Sequence, residues 1–167
     1  MASKQILNGV QIMQKIRRIA FEIYENNFEE NEMIIAGIKG QGYTMAKLIT
    51  SELHSISSIK AQFVQIIFDK DSPYDNSAQF DCDERFLEKK TIIVVDDVLN
   101  TGRTLAYSLS PFLTIPVKRL QVAVMVDRDY RRFPIKADYV GYSLSTTMTD
   151  HITVDLNDES SFGIYLD

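Results

Sequence analysis

The chain has 167 residues, 45% of them hydrophobic and 25% charged, with a formal net charge of −5. That length suits one domain with a substantial core, and no apolar run reaches the roughly 18–20 residues of a membrane helix, so no membrane partner is expected. The acidic balance argues against a molecule built as a whole to bind DNA or RNA, and the lone Cys82 excludes an intrachain disulfide and points to a reducing cytoplasm.

In chain order, Val10, Met13, Ile16, Ala20, Ile23 and Tyr24 recur at helical spacing and predict an opening amphipathic helix. MIIAG, Met33 to Gly37, predicts a short strand that passes through IKGQG into a second helix, with Met45, Leu48, Ile49 and Leu53 inward. Gln62 to Phe68 reads as another strand. Asp69 to Leu87 is polar, contains one proline and shows no sustained period, which predicts a functional or mobile loop. Thr91 to Asp97 is the next strand, followed by a helix through Leu105 and Leu109 that Pro111 ends or kinks. Leu120 to Val126 is apolar on both faces, as buried parallel strands are. ADYVGYSL, HITVDL and FGIYL are short strand-like pieces between polar turns.

Apolar strands alternating with helices predict an α/β fold with a central, mostly parallel sheet flanked by helices. Ligands of such folds bind beyond the carboxyl ends of the strands. Three of those ends carry distinctive residues: Gly37 to Gly42, Asp96-Asp97 with Asn100 to Thr104, and Asp127-Arg128.

Asp96 and Asp97 are adjacent at the end of an apolar strand. Like charges that close repel and burial raises the cost of each, so a hydroxyl-rich ligand or a metal ion is expected there. Asn100 to Thr104 offers a glycine, two hydroxyls and backbone N–H groups at a helix start, which suits a phosphate monoester. Together the stretch fits a sugar with its 5-phosphate in the loop and its 2- and 3-hydroxyls on the aspartates. IKGQG repeats the logic around Lys39 for a second phosphate group, although glycine in a short strand-to-helix turn also serves packing. Lys15, Arg17 and Arg18, and Arg128, Arg131 and Arg132, form two basic clusters that read as solvated faces or as a local patch. His54, His151 and Cys82 have no metal-ligand or nucleophile company and read as surface or capping groups.

VVDDVLNTGRTL resembles, over its whole length, the phosphoribosyl-pyrophosphate (PRPP) motif of type I phosphoribosyltransferases. GIKGQG is similar to that family's pyrophosphate loop, and VAVMVDRDYRRFPIKADYVG resembles its PyrR-type branch of pyrimidine regulators with uracil phosphoribosyltransferase activity. The resemblance runs from the opening helix to HITVDL and implies one domain over 1–167, with a core about 8–126 and a small hood and tail about 127–167. It implies that Lys39, Gly40, Asp96, Asp97, Asn100, Thr101, Gly102, Arg103 and Thr104 bind PRPP. Val126, Asp127 and Arg128 would lie near the base, and the 69–87 segment would close over the site. Magnesium would be held mainly by PRPP, with water-mediated contact to Asp96 and Asp97. Asp96, Asp97 and Lys70 would carry the reaction, the aspartates by holding hydroxyls rather than as a general base.

The implied reaction transfers phosphoribose from PRPP to a nucleobase, uracil first, giving UMP and pyrophosphate. The alternative is a nucleotide-sensing RNA-binding attenuator with weak or no turnover. The branch also implies a homodimer or higher homo-oligomer. The chain departs from the branch in three places: Gly40-Gln41 lacks an arginine of the pyrophosphate loop, Asp69-Lys70 replaces an aromatic and an arginine, and Thr147-Met148-Thr149-Asp150 lacks an arginine. Lys70 stands in without the guanidinium fork, and the uncharged Met148 makes RNA the weaker expectation. A two-component receiver domain also ends a strand in paired acids, but its downstream lysine is missing, as none follows Lys136.

Overall fold

The computed structural model describes residues 3–167. Strand β1 (Lys4–Asn8) leads directly into helix α1 (Gly9–Asn26). Asn8 and Gln11 close a reciprocal capping box, each side chain accepting from the other's backbone N–H at 2.9 Å. The helix buries Ile12, Ile16, Ile19, Ala20 and Ile23. The inward stripe is therefore rotated from the expected one: Val10 is 70% exposed, and Met13 and Tyr24 only border the core. Both stripes satisfy helical periodicity; packing against α2 (Gln41–Ile56) and strand β7 (Tyr139–Ser143) selects the isoleucines.

The remaining strands are β2 (Glu32–Ile38), β3 (Lys60–Ile67), β4 (Gln79–Phe80), β5 (Thr91–Leu99), β6 (Arg119–Asp127), β8 (Ile152–Asp155) and β9 (Gly163–Leu166), with a short helix α3 (Arg103–Leu109) after β5. Six strands form one sheet in the order β4-β3-β2-β5-β6-β7, parallel except at the β4 edge. α1 and α2 cover one face, where Met33, Ile35, Ile93, Val95, Ala123 and Met125 are buried. Ile34, Ala36, Ile92, Val94, Val122 and Val124 face the other side, against Leu105 and Phe112. The alternation follows from the two-residue period of a strand, and burial on both faces explains the unbroken apolar runs.

The chain divides between its two sheets differently from the expected boundary near residue 126. β7 extends the main sheet beside β6, whereas the second sheet, the hood, has the order β1-β9-β8 and is antiparallel. Strand β1 thus joins residues near the start to the last strand. No local pattern announces such pairing, because the partner lies at the far end of the chain.

The 69–87 segment also differs from the expected single loop. Residues Gln79 and Phe80 pair antiparallel with Ile67 and Ile66, and Phe80 stacks on Phe112 with ring centroids 4.8 Å apart. Asp81 accepts from the Gln65 N–H at 2.7 Å, and Leu87 is fully buried. Residues 70–76 run through turns and bends with no strand pairing, and two further bends at 81–82 join β4 to the 3-10 turn at Glu84–Leu87.

Candidate active site

The site begins where the central strands end at different heights. The β2–β5 register stops at Gly37 opposite Val95, while β5 continues to Leu99 paired only with β6. Asp96 and Asp97 occupy the first residues past that step. β2 has by then turned through Gly40, at φ 103°, into α2. Gly42 is needed for the close approach of α2: a Cβ there would lie 2.8 Å from the Val95 carbonyl and 3.1 Å from Asp96 Oδ1.

Asp96 is 2% exposed, and its Oδ1 accepts from the Asp97 N–H at 2.9 Å. Burial pushes its carboxyl well above the usual carboxylate range; the neighbouring Asp97 charge adds to this, and the Lys70 ammonium opposes it. Asp97 is only half-buried. The pair is thus one enclosed acid and one at the cleft, consistent with acceptors for vicinal hydroxyls.

The loop after the aspartates is held from outside. Gly102 takes the left-handed conformation at φ 86°, where an added Cβ would lie 3.2 Å from the Phe133 carbonyl. The Thr101 carbonyl accepts from the N–H groups of Arg132 (2.9 Å) and Phe133 (3.0 Å), and the Asn100 carbonyl accepts from Arg131 Nη1 at 2.9 Å. Gly102 caps α3 without a side-chain bond; Thr101 Oγ1 accepts from the Arg103 N–H at 3.3 Å, and among the described residues the Thr104 and Leu105 amides that follow have no cap. With seven residues, α3 has a modest dipole, and the groups here that could donate to an anion are the Thr104 and Leu105 amides and the Thr101 and Thr104 hydroxyls.

Lys39 and Gly40 are exposed in the turn between β2 and α2. The Lys39 N–H is not free for an anion, because it donates to the Ile66 carbonyl at 2.9 Å. The groups on this side that could donate to an anion are instead the Lys39 ammonium and the first turn of α2, which carries neither a side-chain cap nor an acid. Gln41 ties the turn to the hood: its Oε1 accepts from the Leu156 N–H (3.0 Å), and its Nε2 donates to Asn157 Oδ1 (3.1 Å). That role was not visible in the sequence, where Gln41 stood out only as a missing arginine.

The end of β5, its following loop and the hood enclose a cleft of about 340 Å³ lined by Lys70, Asp96, Asp97, Asn100 and Thr104, with His151 to Val154 of the hood opposite; Lys39 and Gly40 do not line it. Its size is that of a small-molecule site. An adjoining pocket runs along Asp96 and Val98 to Leu105 and includes Arg103. A larger apolar groove, about 590 Å³, lies between Val10, Met13 and Phe162, but no paired carboxylates or phosphate loop reach it. His151, read as a surface or capping residue, lies in the cleft wall because β8 folds back over the strand ends. A histidine at the start of a strand gives no local sign of that. His54, by contrast, only bonds the Ala61 carbonyl at 2.8 Å.

The residues expected near the base are placed differently from the rest. Val126 is fully buried in the core, Asp127 is paired with Arg131, and Arg128 is buried and bonded to protein groups on every side. None of the three lines the cleft. The wall facing the aspartates belongs to β8.

Among the described residues no cluster of three or more His, Cys, Asp or Glu side chains is present that would cage a metal ion. Two adjacent carboxylates beside an open cleft suit magnesium that keeps waters and takes further oxygens from a phosphorylated ligand.

The phosphoribosyl transferase domain family matches residues 2–160. The pyrimidine operon regulatory protein of Lactococcus lactis subsp. lactis is 32% identical over 163 residues, 95% of this chain and 92% of that protein. The bifunctional protein PyrR of Streptococcus pyogenes serotype M49 is 30% identical over 161 residues, 93% and 91% of the two chains. Among solved structures, the hypoxanthine phosphoribosyltransferase of Trypanosoma cruzi superposes with a TM-score of 0.79 at 17% identity, covering 99% of this chain and 96% of that one. A hypoxanthine-guanine phosphoribosyltransferase of Bacillus anthracis gives 0.67 at 20% identity, covering 86% and 83%. At those identities the structural likeness speaks for the fold.

Proposed function

The chain belongs to the phosphoribosyltransferase family, on its PyrR-type branch, and from that membership we propose that it transfers the phosphoribosyl group of PRPP to uracil, releasing pyrophosphate and UMP. The observation that carries this reading is the cleft in which Asp96 and Asp97 lie between the 100–104 loop and the hood. Ribose hydroxyls donate to the two carboxylates, and the 5-phosphate accepts from the turn amides, Thr101 and Thr104. The pyrophosphate lies toward Lys39, Gly40 and the first turn of α2, with Lys70 at the cleft edge. Magnesium, when bound, offsets charge on the leaving pyrophosphate.

A nitrogen of uracil forms the new bond to the anomeric carbon as the bond to the pyrophosphate oxygen breaks, with inversion, and the proton of that nitrogen passes to the departing pyrophosphate or to water. Positive charge grows on the ribose ring, so the chain's task is orientation and electrostatic support. Asp96 and Asp97 hold the ring while their negative field favours that charge. Lys70 balances the departing anion, and backbone groups of Ile152 to Val154 offer themselves to the base edge. The setting is a reducing cytoplasm, and the protein acts as a homo-oligomer.

A second reading, a nucleotide-sensing RNA attenuator, draws support from the names of the Lactococcus and Streptococcus relatives. Against it, Met148 is 80% exposed and brings no cation to its surface, next to the acidic Asp150. A turnover screen with PRPP and magnesium across the free nucleobases decides between them. UMP and pyrophosphate are expected from uracil. No product from any base, together with tight UMP-strengthened binding of a pyrimidine-operon leader RNA, would make regulation the function.

A further inference from the structure

Arg128 follows β6 directly and is only 8% exposed. A buried guanidinium is costly unless its donors are matched. Here each nitrogen is matched, and to different segments: Nε donates to Thr146 Oγ1 (2.6 Å), Nη1 to Asn100 Oδ1 (3.1 Å), and Nη2 to the Thr147 carbonyl (3.0 Å). Its charge has no carboxylate in salt-bridge contact among the described residues, since the adjacent Asp127 pairs with Arg131. The three acceptors that bond this cation are thus neutral, one of them in the 100–104 loop and two in the segment that leads into β8. The Tyr130 ring centroid lies 5.5 Å from the guanidinium carbon, and the Asp150 carboxylate feels the Arg128 charge without touching it.

The bond to Asn100 has a chemical consequence. An amide offers a carbonyl acceptor at one end and two N–H donors at the other. With Oδ1 held by a guanidinium, Nδ2 is the end that Asn100 has to offer, and Asn100 lines both the cleft and the adjoining pocket. The opposite amide orientation would turn an oxygen toward an anionic ligand. Thr146 and Thr147 lie just before the hood strand that walls the cleft, so the same side chain links the loop at the phosphate to the loop at the base.

We propose that Arg128 is a positioning residue for the transfer reaction: acting through Asn100, it presents the amide N–H groups to PRPP oxygens and locks the 100–104 loop to the 146–147 segment of the hood. This rests on the transferase reading. The phosphate is remote from the bond that breaks, so the clasp supports binding more than chemistry.

The test compares the full-length wild type with Arg128→Lys, Thr146→Val and the double variant, using PRPP kinetics and amide hydrogen exchange without ligand. Lysine keeps the charge but cannot fork to three acceptors. Arg128→Lys is expected to raise the KM for PRPP about tenfold or more, with kcat changed less than about threefold. Thr146→Val touches no phosphate donor, yet should raise KM by a smaller factor, and the double variant should be no worse than Arg128→Lys alone, because both cut the same clasp. An unchanged KM in Arg128→Lys, or a fall in kcat at constant KM, overturns the proposal. If Arg128→Lys fails to fold, Thr146→Val decides alone, and an unchanged KM there is fatal. If the wild type shows no turnover, the transferase reading itself has failed. Exchange then judges the clasp: faster exchange at residues 99–104 in Thr146→Val sustains it, and equal exchange removes it.

Discussion

Two loops border the cleft, and they are built in opposite ways. The 100–104 loop is held by Arg128, Arg131, Arg132 and Phe133, all reaching in from one neighbouring segment, and its glycine is pressed against that segment. The stretch from Asp69 to Ser77 has only short-range bonds, such as the Asp71 N–H to Asp69 Oδ1 at 2.9 Å, and leaves Tyr74 well exposed. Both are polar and rich in turn residues, so composition does not separate them. What differs is the number of other elements that satisfy their backbone groups. Under the proposed function, a ribose phosphate would be met by donors already in place, whereas a cover over the reacting bond would have to open for substrate and product.

The sharpest way to break this contrast is at the rigid side. Replacing both Asp96 and Asp97 with Asn is expected to reduce PRPP affinity about a hundredfold or more while the fold survives, because neutral amides lose the charge-assisted bonds to the ribose. Calorimetry checks this, and unchanged affinity would remove the aspartates from the ribose site.

Asp96→Asn alone probes what the rigid site costs the protein. Burial raises the folded-state pKa of Asp96 above its unfolded value, so between the two the folded state binds more protons and stability falls as pH rises. Above the folded pKa the penalty is complete; below the unfolded pKa it is absent. Asparagine keeps an Oδ1 to accept from the residue 97 N–H and carries no charge to bury. The variant is expected to melt higher than wild type at neutral pH, by about 2–4 °C for each kcal/mol recovered, with the gap closing toward about pH 4. Thermal melts from pH 4 to 8 measure it. A variant that melts lower at every pH would mean that Asp96 is stabilised by an interaction not seen in the free protein.

The smallest effect is on the movable side. Amides of residues 69–77 are expected to exchange fast in the free protein and to gain protection with PRPP and magnesium, while those of 79–87 are already slow. Equal exchange across 69–87 would erase the division just before β4.

The main sheet was legible because strands such as Thr91–Leu99 and Arg119–Asp127 announce themselves through apolar runs of the right length, and helices through their period. The family was legible because its motif is contiguous: nine consecutive positions, Asp96 to Thr104, carry both the paired acids and the glycine-containing loop. What sequence could not supply were contacts between distant positions. Arg128 looked like a base-side residue and proved to be bonded to Asn100, Thr146 and Thr147. His151 looked incidental and lies in the cleft wall, Gln41 looked like a loss and bonds Leu156 and Asn157, and β1 gave no sign of its pairing with β9. Residue type and spacing determine which backbone shape a segment prefers and which chemistry it offers. Which distant side chain satisfies a given donor is decided only when packing brings the hood against the strand ends, since that choice depends on geometry across the fold rather than on order along the chain.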